Sequence, residues 1–215
     1  MFCNLSPEAL ADFDKIGTQQ RVTKGTVLFR EADPGLSAVV ICSGQVKLSC
    51  TSKEGKTLIL KIAMPGDVLG LSAVITGATY EVTAEALLPT QVKFVERADL
   101  VKFLEQHGEA SMHAAKTLSE EYKSVFFDAR RLALSPSVAG RLATVLLDWG
   151  RTAACGKPEM RFTMALTHEE LANMAGTSRE TVTRLLGKFQ KDKLIQVRGA
   201  SILILSPDRL AQLSA

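Results

Sequence analysis

The 215-residue chain has few of the residues that build metal sites, and it has no long apolar run. All 3 of its histidines lie beyond residue 106, so the first half has no imidazole to offer a metal ion. Its 4 cysteines are Cys3, Cys42, Cys50 and Cys155. They include no C-x-x-C pair, which argues against an iron–sulfur cluster. No apolar stretch approaches the roughly 18 residues that a membrane span needs, so we expect no membrane partner.

The first residues also lack the basic and apolar regions of an export signal. We therefore expect a cytoplasmic protein whose thiols stay reduced. Cys42 and Cys50 lie in apolar, strand-like segments and are expected to be small core residues, whereas Cys3 is expected to be exposed.

Neither sign of charge is in large excess, because the chain has 26 Lys and Arg and 23 Asp and Glu, for a net charge of +3. The balance differs along the chain. Residues 1–134 hold 15 basic and 16 acidic side chains, a net −1, whereas residues 135–215 hold 11 and 7, a net +4. Much of the excess lies in residues 178–193, which predicts either a solvated helix face or a surface for nucleic acid.

The first half contains short β-rich segments punctuated by glycines 9 to 11 residues apart. The predicted strands are Val27–Arg30, Ala38–Cys42, Val46–Thr51, Thr57–Ala63, Val82–Ala86 and Gln91–Val95. Such spacing is typical of an antiparallel jelly-roll barrel, and with the helices that follow it predicts an α+β fold. A cupin-type metalloenzyme would use a similar barrel, but the lack of histidine before residue 107 argues against it. We expect no enzyme and no metal site.

A long helix is predicted from about Glu109 to Leu134, with no Gly or Pro inside it. Small and apolar residues recur along it at three- and four-residue steps, namely Met112, Ala115, Ser119, Tyr122, Phe126, Ala129 and Ala133. This seam could pack on the barrel of its own chain. A helix of about 37 Å is longer than a small barrel can cover, so we favour the same helix of a second copy as its partner.

Ser135-Pro136-Ser137 then interrupts the helix and is the predicted hinge. The chain is thus divided into a β-barrel at residues 1–108, a dimerisation helix and hinge at 109–135, and a third domain at 136–215.

Two helices with a glycine between them are predicted in this third domain. Thr167 with Glu170 forms one capping-box pattern and Thr177 with Glu180 a second, and Gly176 between them can adopt a positive φ. The pattern fits a helix-turn-helix, although a plain helical hairpin has the same spacing.

The outward face of the second helix favours DNA binding over a plain hairpin. Arg179, Glu180, Thr183 and Arg184 are the predicted base contacts, because Arg can bind guanine bidentately and Glu can accept from cytosine. The predicted phosphate contacts are Ser178, Thr181, Lys188 and Arg198. Arg198 lies at the tip of a predicted hairpin, or wing, that joins Leu194–Val197 to Ser201–Leu205.

These features together resemble the CRP/FNR family of bacterial transcription factors over nearly the whole chain. The stretch Thr177 to Leu186 is very similar to the family's recognition-helix motif. The resemblance implies a homodimer that binds a DNA palindrome with GTGA-like half-sites, read by the residues matching Arg179, Glu180 and Arg184. It also implies contact with RNA polymerase and a barrel that controls DNA affinity.

The effector implied by the resemblance is left open. The positions that match the family's pocket are Gly66, Leu69, Gly70, Leu71, Ser72, Tyr80, Glu81 and Tyr122. Leu71, Tyr80 and Glu81 stand where cyclic-nucleotide binders have Glu, Arg and Ser, so cyclic AMP is disfavoured: Leu71 cannot accept a hydrogen bond from ribose, and Glu81 would repel the phosphate. Haem through His107 or His113, another small molecule, or no effector at all stay open as alternatives.

Overall fold

The computed structural model describes residues 5–134, 137–154, 159–164 and 166–214. Residues 135 and 136 of the predicted hinge, together with Cys3 and Cys155, lie outside the described residues. The chain divides into two compact units, Met1–Val125 and Phe126–Ala215. No helix in the described ranges combines the length and apolar character needed to cross a membrane.

The first unit is a barrel of two four-stranded antiparallel sheets. Its strands are β1 (Thr18–Val22), β2 (Val27–Phe29), β3 (Ser37–Ser43), β4 (Val46–Thr51), β5 (Thr57–Ala63), β6 (Val68–Leu69), β7 (Thr83–Ala86) and β8 (Thr90–Glu96). One sheet has the order β1-β8-β3-β6 and the other β2-β7-β4-β5. The predicted α+β fold with a jelly-roll barrel is confirmed, and all six predicted strands are present.

Two strands of the first unit were missed by the sequence pattern. β1 is a largely exposed edge strand, so it lacks the apolar alternation that marks a half-buried strand. β6 has only two residues. Cys42 is also exposed, against the expectation of a core position. It is the extra residue where β3 bulges, since Ile41 pairs with Val92 and Ser43 with Gln91.

Four helices accompany the barrel, and the last of them continues into the second unit. They are α1 (Pro7–Lys15), α2 (Leu71–Thr76), α3 (Arg97–Gln106) and α4 (Gly108–Leu134). One buried cluster joins α1, α3 and the start of α4, and it includes Phe13, Phe103 and Ala110. A second fills the space between the sheets and includes Phe29, Ile41 and Val92. Apolar side chains on both faces of β3 therefore hold the helices and the sheets together.

The second unit combines helices with a small sheet. Its elements are α5 (Val138–Ala154), β9 (Met160–Thr163), α6 (His168–Ala175), α7 (Arg179–Lys191), β10 (Ile195–Arg198), β11 (Ser201–Ile204), α8 (Pro207–Ala211) and a 3₁₀ helix (Gln212–Ser214). Ser137 caps α5, because its hydroxyl accepts a 3.0 Å hydrogen bond from the N–H of Gly140. The sheet has the order β10-β11-β9, so the predicted wing hairpin is extended by a third strand.

Lys93 of β8 provides a test of how α1 is attached. Its side chain is buried, and its Nζ donates a 2.6 Å hydrogen bond to the carbonyl of Phe13 and lies 3.8 Å from the Asp14 carboxylate. We expect Lys93→Met to lower the free energy of unfolding by about 1–3 kcal/mol, because a charged hydrogen bond to α1 is lost. Urea titration followed by circular dichroism measures the change.

Lys15→Met is the matched control, since Lys15 pairs with Asp12 at the surface of α1 and exposed ion pairs stabilise little. Equal effects of the two substitutions would contradict the role given to Lys93.

Candidate nucleic-acid interface

The first helix of the helix-turn-helix, α6, begins with the predicted capping box. The hydroxyl of Thr167 accepts from the N–H of Glu170 at 3.2 Å, and the Glu170 carboxylate accepts from the N–H of Thr167 at 2.9 Å. At its other end Gly176 has φ +61°, and its N–H donates to the carbonyl of Ala172. The left-handed glycine therefore turns the chain out of α6, as predicted.

The second helix, α7, begins one residue later than the capping pattern predicted. Ser178, not Thr177, is its N-cap, and the Ser178 hydroxyl accepts from the N–H of Thr181. The predicted Thr177–Glu180 box is therefore wrong. The physical reason is that the N–H of Thr177 still donates to Ala172 at 3.0 Å, so Thr177 belongs to the end of α6.

Burial divides α7 into two faces. The inward face consists of Val182, Leu185, Leu186 and Phe189, all of which are buried. The opposite face carries the four predicted base-contact residues Arg179, Glu180, Thr183 and Arg184, and all four are exposed. Residues three and four apart share one side of a helix, so a single surface presents both guanidinium groups and a carboxylate within the first two turns.

The Glu180 carboxylate is ionised and turned toward its own helix N-terminus. The pKa of Glu180 lies below the usual range, because the carboxylate accepts a hydrogen bond from its own backbone N–H and another from Ser178, with the Arg179 guanidinium adding to the effect. Glu180 is therefore an acceptor at neutral pH, which suits it to the amino group of cytosine.

The predicted phosphate contacts surround this face. Ser178 and Lys188 are exposed and Thr181 is half-buried, all on α7. Arg198 is exposed at the wing tip, where Gly199 turns the chain with φ +57° between β10 and β11. The wing is tied to α7 by a 3.3 Å hydrogen bond from the N–H of Val197 to the side-chain oxygen of Gln190. Its basic tip is thus held in a defined position relative to the recognition helix.

Sequence analysis missed two residues that support the interface. Arg141 of α5 donates a 2.8 Å hydrogen bond to the carbonyl of Ala175, in the turn between the two helices. His168, the first residue of α6, lies 2.8 Å through its Nδ1 from the hydroxyl of Thr183. Both contacts join residues far apart in sequence, so no local pattern could have indicated them.

The long helix α4 has a second, uncovered face. Ala110 and Ala114 are buried against the barrel. Met112, Tyr122, Val125 and Phe126 are instead exposed by 58, 73, 62 and 62%. Ala115 and Ser119 of the predicted seam are also exposed, while the side chain of Ala129 lies outside the described part. Several large apolar side chains of α4 are thus exposed.

The residues predicted to line an effector pocket are divided between the core and the surface. Leu69, Leu71 and Tyr80 are buried by more than nine-tenths and Gly66 is also buried, whereas Gly70 and Ser72 are half-buried and Glu81 and Tyr122 are exposed. Leu71 packs in the cluster beneath α3 and α4, while Leu69 and Tyr80 pack between the sheets. These side chains are therefore distributed over two core clusters and the surface.

Tyr80 occupies the space beside the α2 turn. Its ring stacks on Phe29 with centroids 4.0 Å apart, and its hydroxyl donates a 2.6 Å hydrogen bond to the carbonyl of Ser37 and accepts from the Ser37 N–H. A Cβ placed on Gly70 would lie only 2.6 Å from the Tyr80 ring. The tyrosine is therefore packed against the turn that matches the phosphate-binding turn expected from the resemblance to cyclic-nucleotide binders.

Each of the two units matches a known protein family. Residues 19–107 match the cyclic nucleotide-binding domain family, and residues 140–213 match the Crp-like helix-turn-helix domain family. The transcriptional activator protein Anr of Pseudomonas aeruginosa is 30% identical over 214 residues, which cover 98% of this chain and 86% of Anr. The chain belongs to the CRP/FNR family. It is a transcription regulator with a helix-turn-helix DNA-binding domain, not an enzyme.

Other CRP/FNR proteins extend the comparison. The CRP-like cAMP-activated global transcriptional regulator of Mycobacterium tuberculosis is 27% identical over 213 residues, covering 99% of this chain and 95% of that protein. The structure of FixK2 from Bradyrhizobium japonicum superposes with a TM-score of 0.83 over 93% of this chain and 98% of FixK2, at 22% identity. The fold of this chain is therefore similar to that of FixK2.

Glu121 of α4 lies among charged side chains of both signs. The pKa of Glu121 on α4 is raised above the usual range, first by burial and further by the nearby carboxylates of Asp67 and Glu81, with Lys61 acting in the opposite direction. Lys61 is itself paired with Asp67 at 3.2 Å. Acidic groups thus predominate around Glu121.

Three other features bear on the effectors of CRP/FNR proteins. Within the described ranges, no group of three His, Cys, Asp or Glu side chains could hold a metal ion. Burial and the Glu31 carboxylate raise the pKa of the Cys50 thiol, which lowers its reactivity. An open groove of about 690 Å³ includes none of the predicted pocket residues. It is lined by Gly17, Thr18, Gln20, Leu36, Ser37, Phe94, Glu96, Arg97, Ala98 and Asp99.

The corrected helix start can be tested by a pair of substitutions. We expect Ser178→Ala to destabilise the second unit by about 1 kcal/mol, because the N–H of Thr181 loses its cap. Thr177→Ala should change stability little, since the Thr177 side chain does not cap α7. Thermal unfolding of the two variants measures the difference, and the reverse order would contradict the assignment of the cap.

Proposed function

We propose that this CRP/FNR protein is a homodimer that recognises a palindromic DNA site through GTGA-like half-sites. The proposal rests on one observation: the exposed face of α7 consists of Arg179, Glu180, Thr183 and Arg184, while its opposite face is buried in the second unit. A helix held in this way can enter the major groove with its charged N-terminal turns.

The proposed roles of the side chains follow from the edges of the bases. Arg179 and Arg184 each offer a planar pair of donors that fits the O6 and N7 acceptors of guanine. The ionised carboxylate of Glu180 accepts from the amino group of cytosine. Lys188 and the wing residue Arg198 contribute charge to the phosphates, as do the N-termini of α6 and α7.

Dimerisation is supported by the uncovered face of α4. Met112, Tyr122, Val125 and Phe126 expose a stripe of apolar surface that an identical helix would cover. A twofold dimer places two recognition helices about 34 Å apart, one turn of B-DNA, which explains why the site would be a palindrome.

A dimer on DNA could recruit or block RNA polymerase. Its partner is chromosomal DNA, so we place the protein in the cytoplasm.

The sensor barrel is proposed not to bind cyclic AMP at its α2 turn. Tyr80 fills this space with a stacked ring and two hydrogen bonds, and the Glu81 carboxylate would repel a phosphate. These observations favour a family member that binds DNA without an effector at this site. Either an effector that binds elsewhere then controls the protein, or the protein has no effector.

The base-reading roles predict a difference between Arg184 and Lys188. Arg184→Ala should lower affinity for the palindrome by about 1–3 kcal/mol per half-site and relax discrimination at one guanine, because a bidentate contact is lost. Lys188→Ala should weaken binding to palindromic and random duplexes alike, because phosphates carry no sequence information. Fluorescence anisotropy with both duplexes measures these changes. Equal losses on the two duplexes for Arg184→Ala would refute its role as a base reader.

The barrel makes a separate prediction. Cyclic AMP at millimolar concentration should change neither the melting temperature nor the DNA affinity of the protein. A ligand present at 100 times its dissociation constant would stabilise the folded state by about 2.7 kcal/mol, which thermal unfolding detects readily. A clear rise in melting temperature would show that Tyr80 does not close the site.

A further inference from the structure

The hydroxyl of Thr183, on the outward face of α7, makes two hydrogen bonds. The hydroxyl donates a 3.0 Å hydrogen bond to the carbonyl of Arg179, one turn earlier in the helix. The Nδ1 atom of His168, on the neighbouring helix α6, lies 2.8 Å from the same oxygen. Thr183 is thus held by its own helix and by a residue 15 positions away.

The direction of these bonds follows from the number of protons. A hydroxyl has a single proton, and that of Thr183 is given to Arg179. His168 must therefore carry a proton on Nδ1 and donate it to Thr183, and the network assigns this tautomer. The hydroxyl of Thr183 has no proton left for an acceptor on a base edge.

The γ-methyl group is then the part of Thr183 that can contact a thymine. Thr183 is exposed between Glu180 and Arg184, within the first two turns that would enter the groove. In the major groove thymine presents the O4 acceptor and the C5-methyl group, and the methyl group is recognised by apolar contact. The Thr183 hydroxyl cannot donate to O4, and its remaining lone pair can accept only from an amino group, which thymine does not present there.

We propose that Thr183 recognises a thymine through its γ-methyl group, and that His168 is a positioning residue that holds Thr183 in the required rotamer. The inference rests on the proposed DNA-binding function and adds to it. It identifies the base class read by Thr183 and a role for a residue on the first helix of the helix-turn-helix.

Replacement of thymine by deoxyuridine removes only the C5-methyl group and tests the proposal directly. A palindrome is first selected from randomised duplexes, and each thymine is then replaced symmetrically in both half-sites. For the wild-type chain one position should lose about fourfold in affinity per half-site, the effect of one buried methyl group, and about 15-fold for the duplex. Fluorescence anisotropy measures the affinities.

Two variants of Thr183 separate the methyl from the hydroxyl. Thr183→Val loses the bond to His168, but a valine in a helix holds one χ1 rotamer by itself and places a methyl group where the γ-methyl of Thr183 lies, so it should retain the penalty for deoxyuridine. Thr183→Ser keeps the hydroxyl and loses the methyl, so it should bind the thymine and deoxyuridine duplexes equally. The residue is exposed, so both variants should fold, which circular dichroism verifies.

His168 is tested by loss and rescue. His168→Ala should reduce the discrimination between thymine and deoxyuridine, because Thr183 is no longer fixed. His168→Asn should restore it, because the amide N–H can replace the Nδ1 donor. A purely structural role of His168 would lower affinity for all duplexes without changing this ratio.

The outcomes distinguish this inference from the function on which it rests. Wild-type protein that binds the selected palindrome no better than random DNA would overturn the proposed function. Specific binding with no deoxyuridine penalty at any position would overturn the role of Thr183 alone. The same conclusion would follow if Thr183→Ser kept the full penalty or Thr183→Val lost it.

Discussion

Burial of one face of α7 determines what the other face can offer to DNA. Val182, Leu185, Leu186 and Phe189 pack into the second unit, so the rotation of the helix about its axis is fixed. Side chains three and four residues away from them must then point outward. The guanidinium groups, the Glu180 carboxylate and the Thr183 methyl are presented as one surface because the apolar residues allow the helix only one orientation.

Local contacts in the turn before α7 and in the wing after it also fix the position of the recognition surface. The left-handed Gly176 and the Ser178 cap set where the helix begins, and Arg141 binds the turn from α5. The wing is held through Gln190. The barrel follows a different principle. Tyr80 packs against the α2 turn from within the chain, and we infer that DNA binding therefore does not require a cyclic nucleotide.

Sequence patterns predicted those parts of the structure that depend on local chemistry. The six apolar strands, the long helix α4, the Thr167 capping box and the Gly176 turn are all present. The pattern failed where position depends on the fold: β1 is polar and exposed, Cys42 is turned outward by a bulge, and the cap of α7 shifts by one residue. The contact between His168 and Thr183 arises from the packing of α6 on α7, so no spacing in the sequence encodes it.

The central claim is that two copies of this chain bind one palindrome without a cyclic nucleotide. Native mass spectrometry of the purified protein, alone and with the selected duplex, tests it most directly. We predict a dimer at micromolar concentration, no retained cyclic nucleotide, and a complex of one dimer with one duplex. A monomer at that concentration, or a duplex bound only after a cyclic nucleotide is added, would contradict the account.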